Sequence, residues 1–467
     1  MSSSHHHKQH PLAEPGALTG KLAGLSLPRQ VFVLAIWPFL GQVLNFLVGS
    51  VDTMLAGRLS VEATNAIGVA AYFGWLFGII FMAVGNGSTA LIARAVGARH
   101  KRVANAALGQ SMLLAAASGL AMGVIIFFAA PTLVRIINLQ GESYRLCVDY
   151  LRVFSIAAPF SAVLFVGGAC LRGAGDARTP FIVLLVVNVV NTIASVVFVA
   201  APAPLGGHGV AGIAAGTLLA WVVGCIATIV VLARGWGGVI KLRAVRLLPH
   251  LDTARRIVRI GLPSLLEGLL GMWLANFIIL KMLGWVHNDS AWGAHVVAIR
   301  IEGMSYLSAF AIGAAAATLA GQYLGAGDPR TARRAVNLCW AAGVIISTVL
   351  GLVFIFFPEL LVRVYTDQPE LLAESPHLLR VAGFVQVFFV SAIILGQGMR
   401  GAGDTRTMLY LTSASTYLVR LPLAYFIGVY LGYGLWGIWL GLCTELTFRG
   451  GLFTARYLHD GWTKVQV

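Results

Sequence analysis

Long apolar runs alternate with short polar segments along almost the whole chain. Each run has about 20 or more residues, the length that a helix needs to cross a bilayer core of about 30 Å. Only helices and closed barrels satisfy every backbone hydrogen bond in lipid, so the runs predict membrane-spanning helices. Twelve spans are predicted, at residues 31–56, 66–93, 104–130, 150–171, 178–200, 209–233, 257–284, 291–321, 333–357, 378–399, 407–430 and 433–456.

The composition excludes an ordinary soluble domain. Hydrophobic residues make up 58% of the 467 residues and charged residues only 11%, whereas soluble proteins carry roughly 25% charged residues. The net charge of +15 would suggest nucleic acid as a partner in a soluble protein. Here Lys and Arg lie in short loops between apolar runs, so the expected partner is the lipid bilayer and not nucleic acid. The five cysteines are widely spaced and predict neither a disulfide framework nor a metal site.

The distribution of basic residues predicts the topology. Of the 33 Lys and Arg residues, 24 lie at the termini and in alternate loops. Cytoplasmic loops are enriched in Lys and Arg, so both termini are expected on the cytoplasmic side of a prokaryotic inner membrane. The predicted units are a flexible N-terminal tail (1–30), a six-helix lobe (31–233), a basic cytoplasmic linker (234–256), a second six-helix lobe (257–456) and a C-terminal tail (457–467).

The two predicted lobes repeat each other in sequence. Leu91–Ala98 matches Leu319–Ala326, and Arg172–Asp176 recurs as Arg400–Asp404, both at the same offset along the chain. A fixed offset across two motifs indicates a duplication. Six is an even number, so the repeats start on the same side and are related by an axis along the membrane normal. The fold class is therefore an all-α membrane protein with two pseudo-symmetric halves around a central cavity, and we interpret the Arg-Gly-Ala-Gly-Asp loops as helix caps.

Several motifs resemble those of the multidrug and toxic compound extrusion (MATE) transporters. They are Val51-Asp52-Thr53 with Gly57-Arg58, the segment Leu319–Gly327, Asn188 with Asn191, the paired Arg-Gly-Ala-Gly-Asp loops and Arg420-Leu-Pro-Leu423. The resemblance implies a cation-coupled antiporter that exports amphipathic, often cationic, organic compounds by alternating access. It implies no catalytic residues and no cofactor beyond the coupling ion, H⁺ or Na⁺, and we expect a monomer. The alternative is a flippase of lipid-linked precursors on a related helical scaffold.

Asp52 is the first candidate for coupling, because it lies on an otherwise apolar helix. An ionised carboxylate there costs about 2.5 to 3.5 kcal/mol, and binding of a proton or a metal cation lowers that cost. The other interpretation is that Asp52 caps a helix end, since Gly57-Arg58 is only a turn away. MATE members carry an aspartate at this position, which favours the coupling role.

Polar side chains in the fifth and sixth spans are natural partners for Asp52. Asn188 and Asn191 lie three residues apart and so share a helical face, and Thr217 follows in the next span. These oxygens can ligate Na⁺ or hold a protonated carboxyl, with Asp52, Asn191 and Thr217 as the possible Na⁺ ligands. The family often has a second aspartate where this chain has Ser195, so we favour H⁺ over Na⁺. Interhelical hydrogen bonding is the alternative role for the polar residues.

Ionisable residues also occur in the second lobe. Glu267 is the only acidic candidate in the seventh span, and the resemblance suggests coupling. An ion pair between Glu267 and Arg300 would instead make both residues structural. Glu302 lies close to Arg300 in sequence, and Glu445 has Arg449 at i+4 as a natural partner.

Pro38 interrupts the hydrogen-bond ladder of the first span and can allow it to bend, although prolines are also tolerated in membrane helices. Pro263 occupies the corresponding place in the seventh span. The predicted substrate cavity is lined by aromatic, polar and charged side chains. They are Trp37, Phe39, Gln42, Tyr72, Met272, Trp273, Tyr306, Arg300 and Glu302. Aromatic residues in spans also serve as interfacial anchors.

Overall fold

A computed structural model describes residue 18 and residues 20–136, 140–202, 206–207, 209–236, 238–243, 248–286 and 291–466. Inside the helices, the description leaves out nine side chains. These belong to Ser50, Asp52, Thr53, Ala56, Gly57, Arg58, Val61, Asn65 and Trp292. The Asp52 carboxyl, the first candidate for coupling, therefore lies outside the described part of the structure, and its role stays a prediction.

The described residues form twelve long helices, in agreement with the twelve predicted spans. The first lobe contains α1 (Leu27–Leu59), α2 (Val61–Gly97), α3 (Lys101–Ile136), α4 (Gly141–Gly173), α5 (Arg178–Ala200) and α6 (Gly209–Arg234). The second lobe contains α7 (Leu251–Trp285), α8 (Ala291–Gly325), α9 (Pro329–Phe356), α10 (Pro369–Gly401), α11 (Thr405–Ser415, continued to Tyr430) and α12 (Gly434–Leu458). Helices α1 to α10 are long and apolar enough to cross a membrane. The sequences of α11 and α12 contain charged residues, among them Arg420, Glu445 and Arg449, which lower their mean hydropathy.

Two helices of the second lobe depart from α-helical geometry. Helix α7 is π-helical over Glu267–Leu274, starting four residues after Pro263. Helix α11 is π-helical over Thr416–Arg420 and Ala424–Tyr430. A proline removes one backbone donor and so loosens the ladder around it, which explains why the wider turn in α7 follows Pro263.

The two lobes meet on the side of the bundle where the chain termini lie, called here the terminal side. Gly97 of α2 packs against the backbone carbonyl of Gln322 in α8, and Gly325 of α8 packs against that of Arg94 in α2. The two glycines, and likewise their two partners, occupy matching positions of the sequence repeat, so this contact repeats itself across the pseudo-two-fold axis. A methyl group at either glycine would overlap the facing backbone, because only glycine allows helices to approach so closely.

Hydrogen bonds reinforce the same interface. The Arg94 guanidinium donates to the carbonyl of Ala402 at 2.9 Å and to that of Val465 at 2.7 Å. The Gln322 amide donates to the carbonyl of Gly173 at 2.9 Å. The lobes are thus joined on the terminal side by hydrogen bonds to the backbone as well as by close helix packing.

The first Arg-Gly-Ala-Gly-Asp loop caps the helix that follows it with a bond to a backbone N–H, as expected, and in the second loop the aspartate bonds only to a hydroxyl of the following helix. Asp176 accepts hydrogen bonds from the backbone N–H (3.1 Å) and the hydroxyl (2.6 Å) of Thr179, and Asp404 accepts one from the Thr407 hydroxyl at 2.6 Å. The glycine before each aspartate has a positive φ, 91° and 98°, which L side chains rarely adopt. The repeat therefore preserves the turn and the bond to a threonine hydroxyl, and the two aspartates differ in the backbone N–H bond, which Asp176 alone accepts, and in the cation beside them.

Both predicted tails pack against the bundle where the structure describes them, which differs from the flexible N-terminal tail that was expected. Leu18 and Leu22 are buried beside the start of α1, and Lys21 forms an ion pair with Asp176 at 2.6 Å. Near the other end, Trp462 is fully buried and stacks on Tyr457. Composition alone hides this packing, because a few well-placed apolar side chains are enough to dock a short polar segment.

Candidate functional site

Polar side chains of α1, α5 and α6 meet inside the first lobe. The Asn188 amide donates to the Asn45 side-chain carbonyl at 3.2 Å, and the Asn191 amide donates to the Thr217 hydroxyl at 3.0 Å. Thr217 in turn donates to the backbone carbonyl of Ile213 at 3.2 Å. The structure therefore shows interhelical hydrogen bonds for Asn188, with Asn45, and for Asn191, with Thr217. Their predicted role as partners of Asp52 stays a prediction.

Two oxygens in this polar group have no hydrogen-bond partner among the described residues. They are the side-chain carbonyl of Asn191 and the hydroxyl of Ser195, and both are buried. A buried polar atom without a partner costs about 1 to 3 kcal/mol, so such atoms call for an explanation. On α1, residue 52 lies seven residues, or two turns, beyond Asn45, the residue that contacts α5. The free oxygens are available to a cation or to a protonated carboxyl.

A cavity of about 430 Å³ lies between the lobes. Its walls come from α1, α2, α4 and α5 of the first lobe and from α8 and α10 of the second. Trp37, Pro38 and Gln42, all predicted from the sequence, line it. The volume falls in the range of roughly 300 to 1,000 Å³ that small-molecule sites occupy. Whether these residues contact substrate stays a prediction.

The other predicted cavity residues lie elsewhere. Tyr72 of α2 and Trp273 of α7 contact each other across the two lobes, with ring centroids 5.3 Å apart and the Tyr72 hydroxyl 3.3 Å from the Trp273 carbonyl. Tyr306 packs edge-on against Phe310, which lines the cavity. Phe39, Met272, Arg300 and Glu302 are likewise not among the cavity-lining residues.

Glu267 forms an ion pair, but with a different partner from the one considered. Its carboxylate pairs with the guanidinium of Arg400, at the end of α10, and accepts a hydrogen bond from the Thr412 hydroxyl at 2.7 Å. Arg300 is exposed and makes no ion pair with the described residues. The predicted ion pair between Glu267 and Arg300 is therefore wrong. Arg300 lies on a face of α8 with the exposed Val296 and Met304, away from Glu267.

A second charged cluster lies between α8, α11 and α12. Glu445 is fully buried, pairs with Arg449 at 3.1 Å and with Arg420 at 3.9 Å, and accepts a hydrogen bond from Ser415 at 2.8 Å. The i+4 pairing of Glu445 with Arg449 is confirmed. Glu302 interacts electrostatically with Arg420. The acidic and basic side chains of this cluster therefore compensate one another, which offsets part of the cost of removing them from water.

Sequence reasoning missed the side chain of Arg172. It was interpreted only as part of a capping loop, yet it lines the central cavity. The sequence repeat could have indicated this role, because Arg172 matches Arg400, and Arg400 pairs with Glu267. The residue that matches Glu267 in the first lobe is Gln42, since Gln42 follows Pro38 by four positions, just as Glu267 follows Pro263.

Comparisons with known proteins agree with the fold and the duplication. The MatE family model matches residues 38–197 and 263–426, one stretch in each lobe. A "Probable multidrug resistance protein NorM" of Thermotoga maritima is 27% identical over 438 residues, covering 93% of each chain. A "FAD transporter" of Shewanella oneidensis is 25% identical over 429 residues, covering 90% of each chain. The outward-facing structure of a multidrug resistance MATE family transporter of the MOP superfamily superposes with a TM-score of 0.88 at 21% identity, covering 95% of this chain and 98% of that chain.

Proposed function

Because the chain belongs to the MatE family of membrane transporters, we propose that it is a secondary active antiporter that exports amphipathic organic compounds in exchange for H⁺. Multidrug resistance proteins among its relatives support export of drug-like molecules, and a relative named as a FAD transporter supports a wider range of cargo. The cell's inner membrane, with both termini in the cytoplasm, is the proposed location, on the distribution of Lys and Arg.

The observation that carries this proposal is a cavity between two duplicated lobes, bordered by the helix that bears Asp52. The cavity shares α1 with the polar group of Asn188, Asn191 and Thr217. Helix α1 therefore contacts both the candidate cation pocket and the candidate substrate space. A cation that binds in the pocket can change the position of α1 and so the shape of the cavity, which is the coupling that an antiporter needs.

Alternating access is proposed to proceed by rocking of the lobes about the contact on the terminal side. That contact consists of matched glycine packing and a few hydrogen bonds, so it can separate as a unit. Pro38 lies in the wall of the cavity, where a bend of α1 would act directly on substrate. If Pro38 is a hinge, Pro38→Ala lowers efflux while the protein still reaches the membrane.

H⁺ is preferred to Na⁺ because the described part of the pocket is neutral. Asn188, Asn191, Ser195 and Thr217 supply amide and hydroxyl groups, and Asp52 is the one acidic residue in the sequence of α1. A single carboxyl suffices to bind a proton, whereas sodium sites gain from additional charged oxygen ligands. Ser195, where the family often has an aspartate, is the sequence feature behind this preference.

The first experiment compares Asp52→Asn with a matched control, Asp149→Asn, which removes an exposed carboxylate from α4. Cells that make the wild-type protein are expected to accumulate less of at least one fluorescent amphiphile from a panel that contains both anionic and cationic dyes, and this effect should collapse with the proton gradient. Asp52→Asn should abolish the effect at equal membrane abundance, and Asp149→Asn should not. Full activity of Asp52→Asn would remove that carboxyl from the mechanism.

The second experiment identifies the coupling ion. Purified protein in proteoliposomes is supplied with substrate, and the internal pH is followed with and without a Na⁺ gradient. Coupling to H⁺ predicts a substrate-driven pH change that persists without Na⁺. Transport that needs Na⁺ and moves no protons would contradict the choice of H⁺ and leave the antiporter proposal intact.

A further inference from the structure

Among the described residues, the side chains that line the central cavity include one that is charged, and it is a cation. This side chain belongs to Arg172, and its guanidinium lies beside the cavity-lining Gly168, where an added Cβ would be 3.3 Å from the Arg172 Nη1 atom. The guanidinium makes no hydrogen bond or ion pair with the described residues. Arg178 is exposed and does not line the cavity, but its guanidinium lies 5.7 Å from the ring centroid of the cavity-lining Trp37.

The repeat shows that this lack of a partner is specific to the first lobe. In the second lobe, the matching Arg400 is neutralised by Glu267, and Thr412 donates a hydrogen bond to the same carboxylate. The first-lobe counterparts are Gln42 for Glu267, aligned by the two prolines, and Leu184 for Thr412, aligned by the Arg-Gly-Ala-Gly-Asp repeat. Both counterparts line the cavity together with Arg172. One copy of the repeat thus contains an ion pair, and the other presents a guanidinium to an open cavity.

The rest of the cavity is neutral and partly aromatic. Amide groups come from Gln42, Asn45, Asn86 and Gln397, and the rings of Phe181 and Trp37 lie 5.3 Å apart in the same wall. A buried guanidinium is expensive without an anion, and its planar fork of donors matches carboxylates and phosphates. Rings and amides suit a flat organic ligand with hydrogen-bonding groups.

Building on the proposed transport function, we propose that this cavity takes aromatic amphiphiles that carry an anionic group, such as a carboxylate, phosphate or sulfonate. Arg172 binds the anionic group and the aromatic wall packs against the ring system. Organic cations, the substrates expected from the sequence, are disfavoured in this cavity because none of the described side chains that line it is a carboxylate that could offset Arg172.

The test is equilibrium dialysis of the purified full-length protein in neutral detergent against two matched probes, 2-naphthoate and 2-naphthylmethylammonium, which share one ring system and differ in charge. The wild-type protein should bind the anion at least about tenfold more tightly than the cation. Arg172→Gln should weaken binding of the anion by about 10- to 100-fold, the range for loss of a charge-assisted hydrogen bond. Arg363→Gln, which removes an exposed positive charge outside the cavity, should change neither affinity.

Two further variants keep the test decisive if Arg172→Gln does not fold. Arg172→Lys keeps the charge and loses the planar fork, so it should retain part of the affinity for the anion. Gln42→Glu recreates the second-lobe ion pair in the first lobe, so it should lower the affinity for naphthoate and raise that for the ammonium probe.

Tighter binding of the cation by the wild-type protein, or unchanged affinity for naphthoate in both Arg172→Gln and Gln42→Glu, would overturn the inference. The outcome is separate from that of the transport assays, because binding in detergent needs no gradient. Selective binding of the anion without antiport would contradict the transport proposal alone, and antiport restricted to cations would contradict this inference alone.

Discussion

The two lobes share a backbone plan and differ in where they place charge. On the terminal side they are nearly interchangeable, since Gly97 and Gly325 make equivalent contacts across the pseudo-two-fold axis. Inside, the second lobe pairs Glu267 with Arg400 and Glu445 with two arginines. The first lobe has neutral amides and hydroxyls at its polar contacts, with Thr217 at the position that matches Glu445.

This difference indicates a division of labour after duplication. Paired charges cannot change their protonation or bind a ligand without breaking an ion pair, so the second lobe is suited to be a rigid frame. The neutral polar groups of the first lobe leave the oxygens of Asn191 and Ser195 without hydrogen-bond partners among the described residues, and the Arg172 guanidinium faces the cavity, so this lobe can take up ions and substrate. We therefore assign the binding of the coupling ion and of the substrate to the first lobe.

The largest expected effect comes from breaking the ion pair in the second lobe. Glu267→Gln leaves the guanidinium of Arg400 buried without its anion, so we expect the free energy of unfolding to fall by about 3 to 5 kcal/mol. The measurement is denaturant unfolding in detergent. The double variant Glu267→Gln with Arg400→Gln should recover much of the loss, and Glu370→Gln, an exposed acid at the start of α10, should have an effect within about 0.5 kcal/mol.

A null result for Glu267→Gln would break the comparison, because it would mean that the second lobe tolerates an unpaired arginine as the first lobe does. Loss of transport with normal stability would instead assign Glu267 to coupling, the role that the sequence allowed for it.

The next effect concerns the symmetric interface. Gly97→Ala and Gly325→Ala should each destabilise the contact between α2 and α8 by about 1 to 3 kcal/mol through overpacking. Spin labels at residues 102 and 330, both exposed on the terminal side, should report a larger population with separated lobes in both variants. Gly284→Ala, a glycine with open space around it, should leave the distance distribution unchanged. Clearly unequal effects of the two substitutions would show that the two glycine contacts differ in energy although their packing is equivalent.

The smallest expected effect concerns the cations that pair with the aspartates of the two Arg-Gly-Ala-Gly-Asp loops. Arg456 gives Asp404 two hydrogen bonds, at 2.8 and 3.0 Å, from the same lobe, whereas Lys21 reaches Asp176 from the N-terminal segment and is 43% exposed. Arg456→Gln should cost about 1 to 3 kcal/mol of unfolding free energy and Lys21→Gln about 0 to 1 kcal/mol, because water can replace the exposed lysine. Thermal unfolding of the two variants side by side measures the difference, and a larger loss for Lys21→Gln would contradict it.

The repeats and the apolar runs were sufficient to predict the fold. The offset shared by the repeated motifs identified the halves, and run length identified the helices, because both signals can be read directly along the chain. The partner of Glu267 was missed because Arg400 lies 133 residues away and i+4 spacing carries no information on contacts between distant helices. The docking of Leu22 was missed for a related reason, since only tertiary packing shows that an isolated leucine has a pocket to fill.

Within the candidate site, the residue types predicted which side chains form hydrogen bonds better than they predicted what each side chain does. Asn191 and Thr217 form a hydrogen bond, and Asn188 bonds to Asn45 instead, because amides buried in apolar helices must find hydrogen-bond partners. The aromatic residues were placed less well, since an aromatic ring fits a cavity wall, a lobe interface or lipid equally by composition.

The buried Leu22 and the ion pair between Lys21 and Asp176 connect the short segment before α1 to both copies of the duplication. Leu22 packs beside the capping loop of one copy and within the core of the other. The two lobes are consequently unequal as separate fragments, because a fragment of the second lobe alone lacks the Leu22 side chain that fills part of its core. Affinity tags or fusions are better attached where they leave the packing of Leu22 undisturbed.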